Sequence, residues 1–206
     1  DQIAILDLST NSISGYINLG VTSEAMLLFA NEVFVASQES DKLYSIDIAN
    51  TGNIDSVMTI APGGNSMVID ASGKVWVLAY GYWATSTPGG LFRIDPLGNT
   101  VEAAMPMSTF DFATHLTKNP VGDSLFFLNY NIYRMSTADA ALPTVPFISG
   151  SGHSWYTIGM MPNTSNFFAG DAVDYVQSGL LFRYDALGLQ TDVDTVGVIP
   201  NSFLWY

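Results

Sequence analysis

The chain has 206 residues, of which 48% are hydrophobic and 13% aromatic, so its composition is that of a folded protein with a buried core rather than a disordered segment. Its 19 acidic and 6 basic residues give a net charge of −13, which opposes binding to nucleic acids and to anionic membrane surfaces. The sequence has no cysteine, which excludes disulfides and thiol chemistry, and no apolar run reaches the roughly 20 residues of a membrane-spanning helix.

A short motif recurs five times along the chain and predicts a repeat architecture. Each copy is an apolar strand that ends in an acidic or polar residue and is followed by a polar turn. The copies end 40 to 49 residues apart, a period typical of β-propellers, whose blades are four-stranded antiparallel sheets. The copies are residues 3–7 (IAILD), 43–47 (LYSID), 91–95 (LFRID), 132–136 (IYRMS) and 181–185 (LFRYD).

Further apolar segments surround the motif, so we expect strands a, b, c and d in each unit, with the motif on strand c. Turns rich in Gly, Pro, Asn and Asp separate strand a from strand b. No segment has a sustained 3.6-residue period, and we expect almost no helix. Strand a is predicted at 25–28, 66–70, 115–117 and 157–160, strand b at 33–36, 74–78, 125–128 and 167–169, and strand d at 100–103 and 193–196.

The two ends of the chain do not complete a blade. The sequence begins directly with a strand c, and residues 201–206 (NSFLWY) resemble the strand a of residues 65–70 (NSMVID). A closing blade built from both ends would lack strand b. We therefore expect residues 1–206 to be a single β-propeller domain with about five blades visible and further blades missing at the N-terminus. A complete five-bladed propeller with a three-stranded closing blade is the alternative.

Two of the strand b segments, residues 33–37 (VFVAS) and 75–79 (VWVLA), stand where a known propeller family carries its Tyr-Val-Thr-Asn strand, although the tetrapeptide itself is absent. Residues 41–47 (DKLYSID) are similar to the strand c of that family, and residues 168–175 (FAGDAVDY) and 199–203 (IPNSF) to the end of one of its groups. The chain thus resembles the YVTN-repeat (YncE-like) propellers, in particular the surface-layer-like exported lipoproteins of gram-negative bacteria.

The resemblance implies seven blades and a location outside the cytoplasm, at the bacterial cell surface or in the periplasm. It also implies capture of a small ligand, since some relatives hold cobalamin or iron–siderophore complexes for an outer-membrane transporter. No ligand residue of the family can be carried over, because no motif specific to that role is present, and the sequence does not identify a cofactor.

The loops of one propeller face carry the unusual residues. Because strand direction alternates within a blade, the b–c and d–a loops emerge together, on what we call the b–c/d–a face. Converging aromatic rings with a few polar groups favour a small-ligand site, and the alternative is that the rings only pack the loops onto the blade tips. The predicted ligand-binding residues are Tyr80, Tyr82, Trp83, Tyr130, His153, Trp155, Asp171 and Tyr175.

The only two histidines of the chain, His115 and His153, belong to this face. A metal ion or a general base would have to use them, but no H-x-H or H-x-x-H spacing supports a metal site. We therefore predict no metal site and no catalytic residue, and we expect both histidines to line a loop or a channel.

The acidic residues that end the motif recur in every unit but one, whereas a catalytic pair would occur once. We predict that they accept hydrogen bonds from the backbone of the c–d turn. They are Asp7, Asp47, Asp95 and Asp185.

Three arginines occupy one register of the motif, at Arg93, Arg134 and Arg183. We predict that they pair with acidic residues of a neighbouring strand or blade. The alternative is a ring of cations for an anionic ligand.

The expected function is therefore non-catalytic binding of a small ligand or cofactor by the b–c/d–a face, with hand-over to an outer-membrane transporter as the finer hypothesis. The alternative is a structural, adhesion or protein–protein interaction module of the cell surface. A lyase or hydrolase that uses His115 or His153 is the third hypothesis, and a propeller fold by itself does not support it.

Overall fold

The computed structural model describes residues 1–50 and 54–205, apart from the side chain of Asn50. Within these ranges the chain forms seventeen β-strands in five antiparallel sheets, each built from strands that are consecutive in sequence. Two short 3-10 helices, Ile48–Asn50 and Trp83–Thr85, are the helical elements of the described residues. The predicted all-β organisation is confirmed.

Tertiary contacts group the chain into two compact units. Unit 1 comprises residues 1–69 and 73–111, and unit 2 comprises residues 70–72 and 112–206. The expectation that residues 1–206 form one propeller domain stays a prediction.

Unit 1 contains a two-stranded sheet and two four-stranded sheets whose inner strands are buried on both faces. Val75, Trp76 and Val77 are consecutive and fully buried, which explains the uninterrupted apolar run of this strand b. Outer strand d is more exposed, because only one of its sides is paired. The strands are β1 (Gln2–Asp7), β2 (Ser12–Asn18), β3 (Ser23–Phe29), β4 (Glu32–Ser37), β5 (Lys42–Asp47), β6 (Ile54–Thr59), β7 (Gly64–Ile69), β8 (Val75–Tyr82), β9 (Thr87–Asp95) and β10 (Thr100–Pro106).

Unit 2 contains a three-stranded and a four-stranded sheet around a core rich in phenylalanine. The rings of Phe126 and Phe167 lie 5.3 Å apart in that core. Together with unit 1, the strands reproduce the predicted order a, b, c and d with shifts of a few residues at their ends. The strands are β11 (Thr114–Lys118), β12 (Ser124–Asn129), β13 (Asn131–Ser136), β14 (Trp155–Met160), β15 (Phe167–Asp171), β16 (Leu180–Tyr184) and β17 (Gln190–Thr195).

The sheet β11–β13 lacks the strand d expected in every unit. Residues 137–147 follow β13 without forming a strand, and the chain returns only at a single bridge between Ile132 and Ile148. Pro143 and Pro146 lie in this segment, and proline cannot donate a ladder hydrogen bond. The composition of the segment thus explains the missing strand.

Residues 201–205 do not form the predicted strand a, and Tyr206 lies outside the described residues. Residues 200–205 instead cover glycines of the sheet β14–β17 with rings. A Cβ atom at Gly159 would lie 2.6 Å from Phe203, and one at Gly170 would lie 3.0 Å from Pro200, so both rings fill space that glycine leaves open. The strand a predicted from the resemblance to residues 65–70 is therefore wrong for residues 201–205, which pack rings against glycines of this sheet.

The four acidic residues that end the motif cap the c–d turn as predicted, and Ser136 does the same in the remaining copy. In each copy the side-chain oxygen accepts a hydrogen bond from the backbone N–H two residues further on, which satisfies a turn donor. These bonds are Ser9 N to Asp7 at 2.8 Å, Ala49 N to Asp47 at 2.8 Å, Leu97 N to Asp95 at 3.4 Å, Ala138 N to Ser136 at 3.2 Å and Leu187 N to Asp185 at 2.9 Å.

Two of the three register arginines pair with acidic residues of the adjacent strand d. Arg93 Nε lies 3.0 Å from Glu102, and Arg183 Nη1 lies 3.5 Å from Asp192. Arg134 instead lies over the ring of Phe126 at 5.7 Å, because its sheet has no strand d to supply an acid.

Candidate functional site

Three connections of unit 2 carry the candidate site. His153 lies at the end of the connection that enters β14, a strand a, and Trp155 is the first residue of that strand. Tyr130 is the one residue between β12 and β13, and Tyr175 lies in the connection from β15 to β16, so both belong to b–c connections. These four residues and Asp171 are the predicted ligand-binding residues that lie in unit 2.

These residues line a cavity of about 610 Å³ in unit 2. Small-molecule sites occupy roughly 300–1,000 Å³, so the volume suits a small ligand. Five lining side chains are aromatic and two are imidazoles. The lining residues are Phe112, Thr114, His115, Leu128, Tyr130, His153, Ser154, Trp155, Tyr156, Tyr175 and Asn201.

Asp171 holds the His153 imidazole by a buried hydrogen bond. Its carboxylate is 3% exposed, and Oδ2 lies 2.8 Å from His153 Nδ1. Oδ1 accepts the backbone N–H groups of Ser154, at 2.9 Å, and Val173, at 2.8 Å. Because an ionised carboxylate only accepts hydrogen bonds, Nδ1 is the donor of this bond, and in the neutral ring Nε2 carries the lone pair. Nε2 has no hydrogen-bond partner among the described residues and is free to accept a bond from a ligand.

Aromatic packing fixes the same imidazole from its faces. The ring of His153 is stacked on Trp155, with 4.1 Å between centroids and an angle of 13°. Phe182 meets both rings edge-on, at 5.0 Å from His153 and 5.3 Å from Trp155. The Trp155 indole N–H donates to the carbonyl of Ser149 at 3.1 Å, and the side chain is 8% exposed. The imidazole is therefore preorganised before any ligand binds.

Three residues of the cavity wall have left-handed backbone conformations. His115, Tyr130 and Tyr175 line the cavity with φ values of 58°, 54° and 66°. Such values are uncommon outside glycine and often mark functional loops. The carbonyl of Tyr130 is closely covered, since a Cβ atom at Gly150 would lie 2.1 Å from it. Local packing thus holds the backbone of this aromatic residue in an uncommon conformation at the cavity.

Burial sets the protonation of two further groups in unit 2. It lowers the pKa of His115, and a hydrogen bond with the backbone of Asn201 offsets only part of that effect. The ring, whose Nδ1 lies 2.9 Å from Thr114 Oγ1, is therefore neutral at pH 7. Burial, together with the Asp171 carboxylate, raises the pKa of Tyr184 to about 12, so its phenol also stays neutral.

The structure brings together half of the predicted ligand-binding residues. Tyr130, His153, Trp155 and Tyr175 line the cavity, while Asp171 does not line it and instead positions His153.

The other three predicted residues, Tyr80, Tyr82 and Trp83, belong to unit 1 and are not among the lining residues. β8 and β9 pair as far as Tyr82 and Thr87, so the hairpin is longer than expected. Trp83 stands at its tip and is 74% exposed.

Sequence reasoning missed several lining residues. Phe112 is an exposed aromatic residue in a d–a connection, and that signal could have found it. Leu128 lies on strand β12 and has no sequence feature that separates it from core leucines. Asn201 reaches the cavity from the segment that was predicted to be a strand, so its contribution depended on a wrong assignment.

Within residues 1–50 and 54–205, no group of three or more His, Asp or Glu side chains is arranged to hold a metal ion. In the same part of the chain, no helix has the length and apolar character needed to cross a membrane.

No family model matches the sequence, and no curated protein is significantly similar to it. Solved structures do match. A chain of hydrazine synthase from Kuenenia stuttgartiensis has a TM-score of 0.72 at 12% identity, over 97% of this chain and 61% of its own. A quinonprotein alcohol dehydrogenase-like protein from Bacteroides thetaiotaomicron has a TM-score of 0.69 at 12% identity, and the match covers 96% of this chain and 51% of that protein's chain. A chain of a mitotic checkpoint complex has a TM-score of 0.72 at 8% identity, and the match covers 97% of this chain and 60% of the other.

Likeness at identities of 8 to 12% shows the fold alone. The chain spans between 51% and 61% of the lengths of these three proteins. The matched proteins support a propeller, but they do not single out the YVTN-repeat group. Taken with the consecutive antiparallel sheets, they show that the chain has the β-propeller fold, with about five blades.

Proposed function

We propose that this β-propeller binds a small ligand in the unit 2 cavity and does not catalyse a reaction there. The observation that carries the proposal is the state of His153, held by Asp171 and stacked on Trp155, with an unengaged Nε2 in a cavity of aromatic side chains. Largely aromatic walls with a few convergent polar groups are typical of small-molecule sites.

The hydroxyl group of Ser154 supports a binding role over a catalytic one for the Asp171–His153 pair. A hydrolase of the serine type needs a hydroxyl hydrogen-bonded to the unprotonated imidazole nitrogen. The Ser154 hydroxyl, which is adjacent to His153 in sequence, instead donates to the carbonyl of Val173 at 2.7 Å. Among the described residues, the Asp171–His153 pair therefore has no activated nucleophile and supplies an acceptor for a ligand.

The proposal includes a location outside the cytoplasm and delivery of the ligand to an outer-membrane transporter. Its support is the resemblance of residues 33–37 and 75–79 to the YVTN-repeat propellers. Fractionation of the source cells tests it, with the protein expected in the periplasmic or surface fraction. Recovery in the cytoplasmic fraction would remove this part of the proposal and leave the binding role untouched.

Native mass spectrometry tests the binding role. We expect the protein, incubated with the small-molecule extract of its source cells, to carry an added mass that is lost on denaturation. Tyr130→Ala and Trp83→Ala form a matched pair, since the two side chains are 72% and 74% exposed and only Tyr130 lines the cavity. The added mass should persist in Trp83→Ala and disappear in Tyr130→Ala. Equal retention by both variants would contradict the proposal.

A second candidate function is a protein–protein interaction module. The observation that favours it is the β8–β9 hairpin of unit 1, which presents Tyr82 and Trp83 to solvent on paired strands, since exposed aromatic anchors are common at interfaces. A polypeptide that co-purifies with the wild type but not with Trp83→Ala, in the absence of any small-molecule mass, would favour this function.

A further inference from the structure

Five aromatic side chains line the unit 2 cavity. Phe112, Tyr130, Tyr156 and Tyr175 line it beside the Trp155 indole, and Tyr156 and Tyr175 meet edge-on at 5.9 Å. Aromatic faces carry partial negative charge and attract cations, and several rings around one space are the usual site for an alkylated ammonium group. A neutral apolar ligand would gain contact area from the same walls but no such attraction.

The positions of the basic residues in unit 2 also favour a cationic over an anionic ligand. Its basic residues are Lys118, Arg134 and Arg183, and none of them lines the cavity. The guanidinium groups of Arg134 and Arg183 lie over the rings of other phenylalanines, and Lys118 is at the opposite end of β11 from the cavity-lining residues. An anionic ligand would therefore meet no cationic side chain in the cavity.

Carboxylates lie next to lining residues of the cavity, although none of them is itself a lining residue. Burial keeps His115 neutral, and His153 is bonded through Nδ1 to the Asp171 carboxylate. A second carboxylate, that of Asp174, is next to Tyr175 in the β15–β16 connection. The surroundings therefore suit a positively charged ligand, and the net charge of −13 would assist its approach.

His153 sets a second requirement for the ligand, which is a hydrogen-bond donor. Its Nε2 lone pair is fixed in direction by the bond to Asp171 and by the stack on Trp155, so it selects a ligand with a hydrogen-bond donor. A cation without a donor would leave this acceptor unused, and a donor without positive charge would gain little from the rings.

We infer that the ligand is a small organic cation, an alkylated ammonium compound that carries a hydroxyl or N–H donor. The ammonium group lies against the aromatic side chains, and the donor bonds to His153 Nε2. This inference rests on the proposed binding function, whose site it specifies further.

Choline and its neutral carbon isostere, 3,3-dimethylbutan-1-ol, test the charge requirement on the unaltered protein. The two probes have the same shape and hydroxyl group and differ only in the positive charge. We expect choline to bind about tenfold more tightly by calorimetric or NMR titration, since a desolvated cation–π contact is worth roughly that factor. The anion 3,3-dimethylbutanoate should not bind.

Tetramethylammonium, which has no donor, separates the second requirement from the first. His153→Phe keeps an aromatic ring on Trp155 but removes the acceptor, so choline should lose about fivefold in affinity while tetramethylammonium is unaffected. Tyr130→Ala should weaken both cations, and Trp83→Ala should weaken neither.

The outcomes distinguish this inference from the proposed function. If the isostere or the anion binds as well as choline, the cation inference is overturned and the cavity still binds small molecules. If none of the probes binds, the cation inference also fails, and the native mass experiment alone then decides whether the cavity takes another ligand. If His153→Phe lowers the affinity for choline and for tetramethylammonium by the same factor, the predicted hydrogen bond to His153 Nε2 is wrong.

Discussion

Truncating Asp171 should destabilise the protein strongly, because three donors depend on its carboxylate. The backbone N–H groups of Ser154 and Val173 and the Nδ1–H of His153 bond to it at 2.8 to 2.9 Å. Each buried donor left without an acceptor costs about 1–3 kcal/mol. Asp171 is almost fully buried, so solvent screening does not reduce the effect. We expect Asp171→Ala to lower the free energy of unfolding by about 3–6 kcal/mol, since water from the adjacent cavity compensates in part.

Asp171→Asn should cost much less and should change the chemistry of His153. One amide oxygen can still accept the two backbone N–H groups, while the amide NH₂ faces the imidazole. His153 must then accept at Nδ1 and carry its proton on Nε2. We expect a loss of about 1 kcal/mol, and an imidazole ¹⁵N spectrum that shows the exchanged tautomer.

Asp174→Ala is the matched control, because Asp174 also accepts two backbone N–H groups, those of Val176 and Gln177 at 3.0 and 2.9 Å, but in solvent. Urea unfolding followed by tryptophan fluorescence measures all three variants. With a slope of about 2 kcal/mol per molar urea, Asp171→Ala should lower the midpoint by roughly 1.5–3 M. A loss in Asp171→Ala no larger than in Asp174→Ala would refute the claim that a buried carboxylate organises this site.

The lowered pKa of His115 means that the protonated ring is disfavoured in the folded state, so stability is complete above the ordinary value of about 6.5 and falls as the pH drops through the folded value. His115→Gln should flatten the urea midpoint between about pH 7 and 5. The raised pKa of Tyr184 acts at the alkaline end: stability is lost as the pH rises from about 10 towards 12, and Tyr184→Phe should remove that part of the loss. Gly150→Ala would press a Cβ atom onto the Tyr130 carbonyl, so it should cost about 1–3 kcal/mol and weaken ligand binding. Gly197→Ala, which meets no atom within 4 Å, should do neither.

The fold was predictable because its determinants are local and repeated. Asp7 and Asp185 cap equivalent turns at opposite ends of the chain, and the apolar run at Val75 is buried from both faces, so spacing and pattern together indicated blades. The absence of a strand d after β13 was also indicated in the sequence, by Pro143 and Pro146. The regular repeat nevertheless favoured a prediction of four strands in every unit.

The site was predictable only in part, because it depends on how loops meet. Alternating strand direction was enough to place Tyr130, His153 and Tyr175 on one face. Nothing in the sequence pairs Asp171 with His153, which are 18 residues apart, and a carboxylate next to a strand end is more often a turn cap. Their partnership arises from the register of β14 and β15, which sets Trp155 opposite Asp171 and thereby fixes the adjoining loop.

The most direct test of the account is the indole N–H region of a ¹H–¹⁵N spectrum, recorded while the small-molecule extract of the source cells is added. The chain has four tryptophans, and Trp155 lines the unit 2 cavity whereas Trp83 stands exposed on the unit 1 hairpin as an internal reference. Trp155→Phe assigns the signal. We expect the Trp155 resonance to shift in a saturable way while that of Trp83 stays in place. A Trp155 resonance that does not move, or one that moves no more than Trp83, would contradict a ligand site in this cavity.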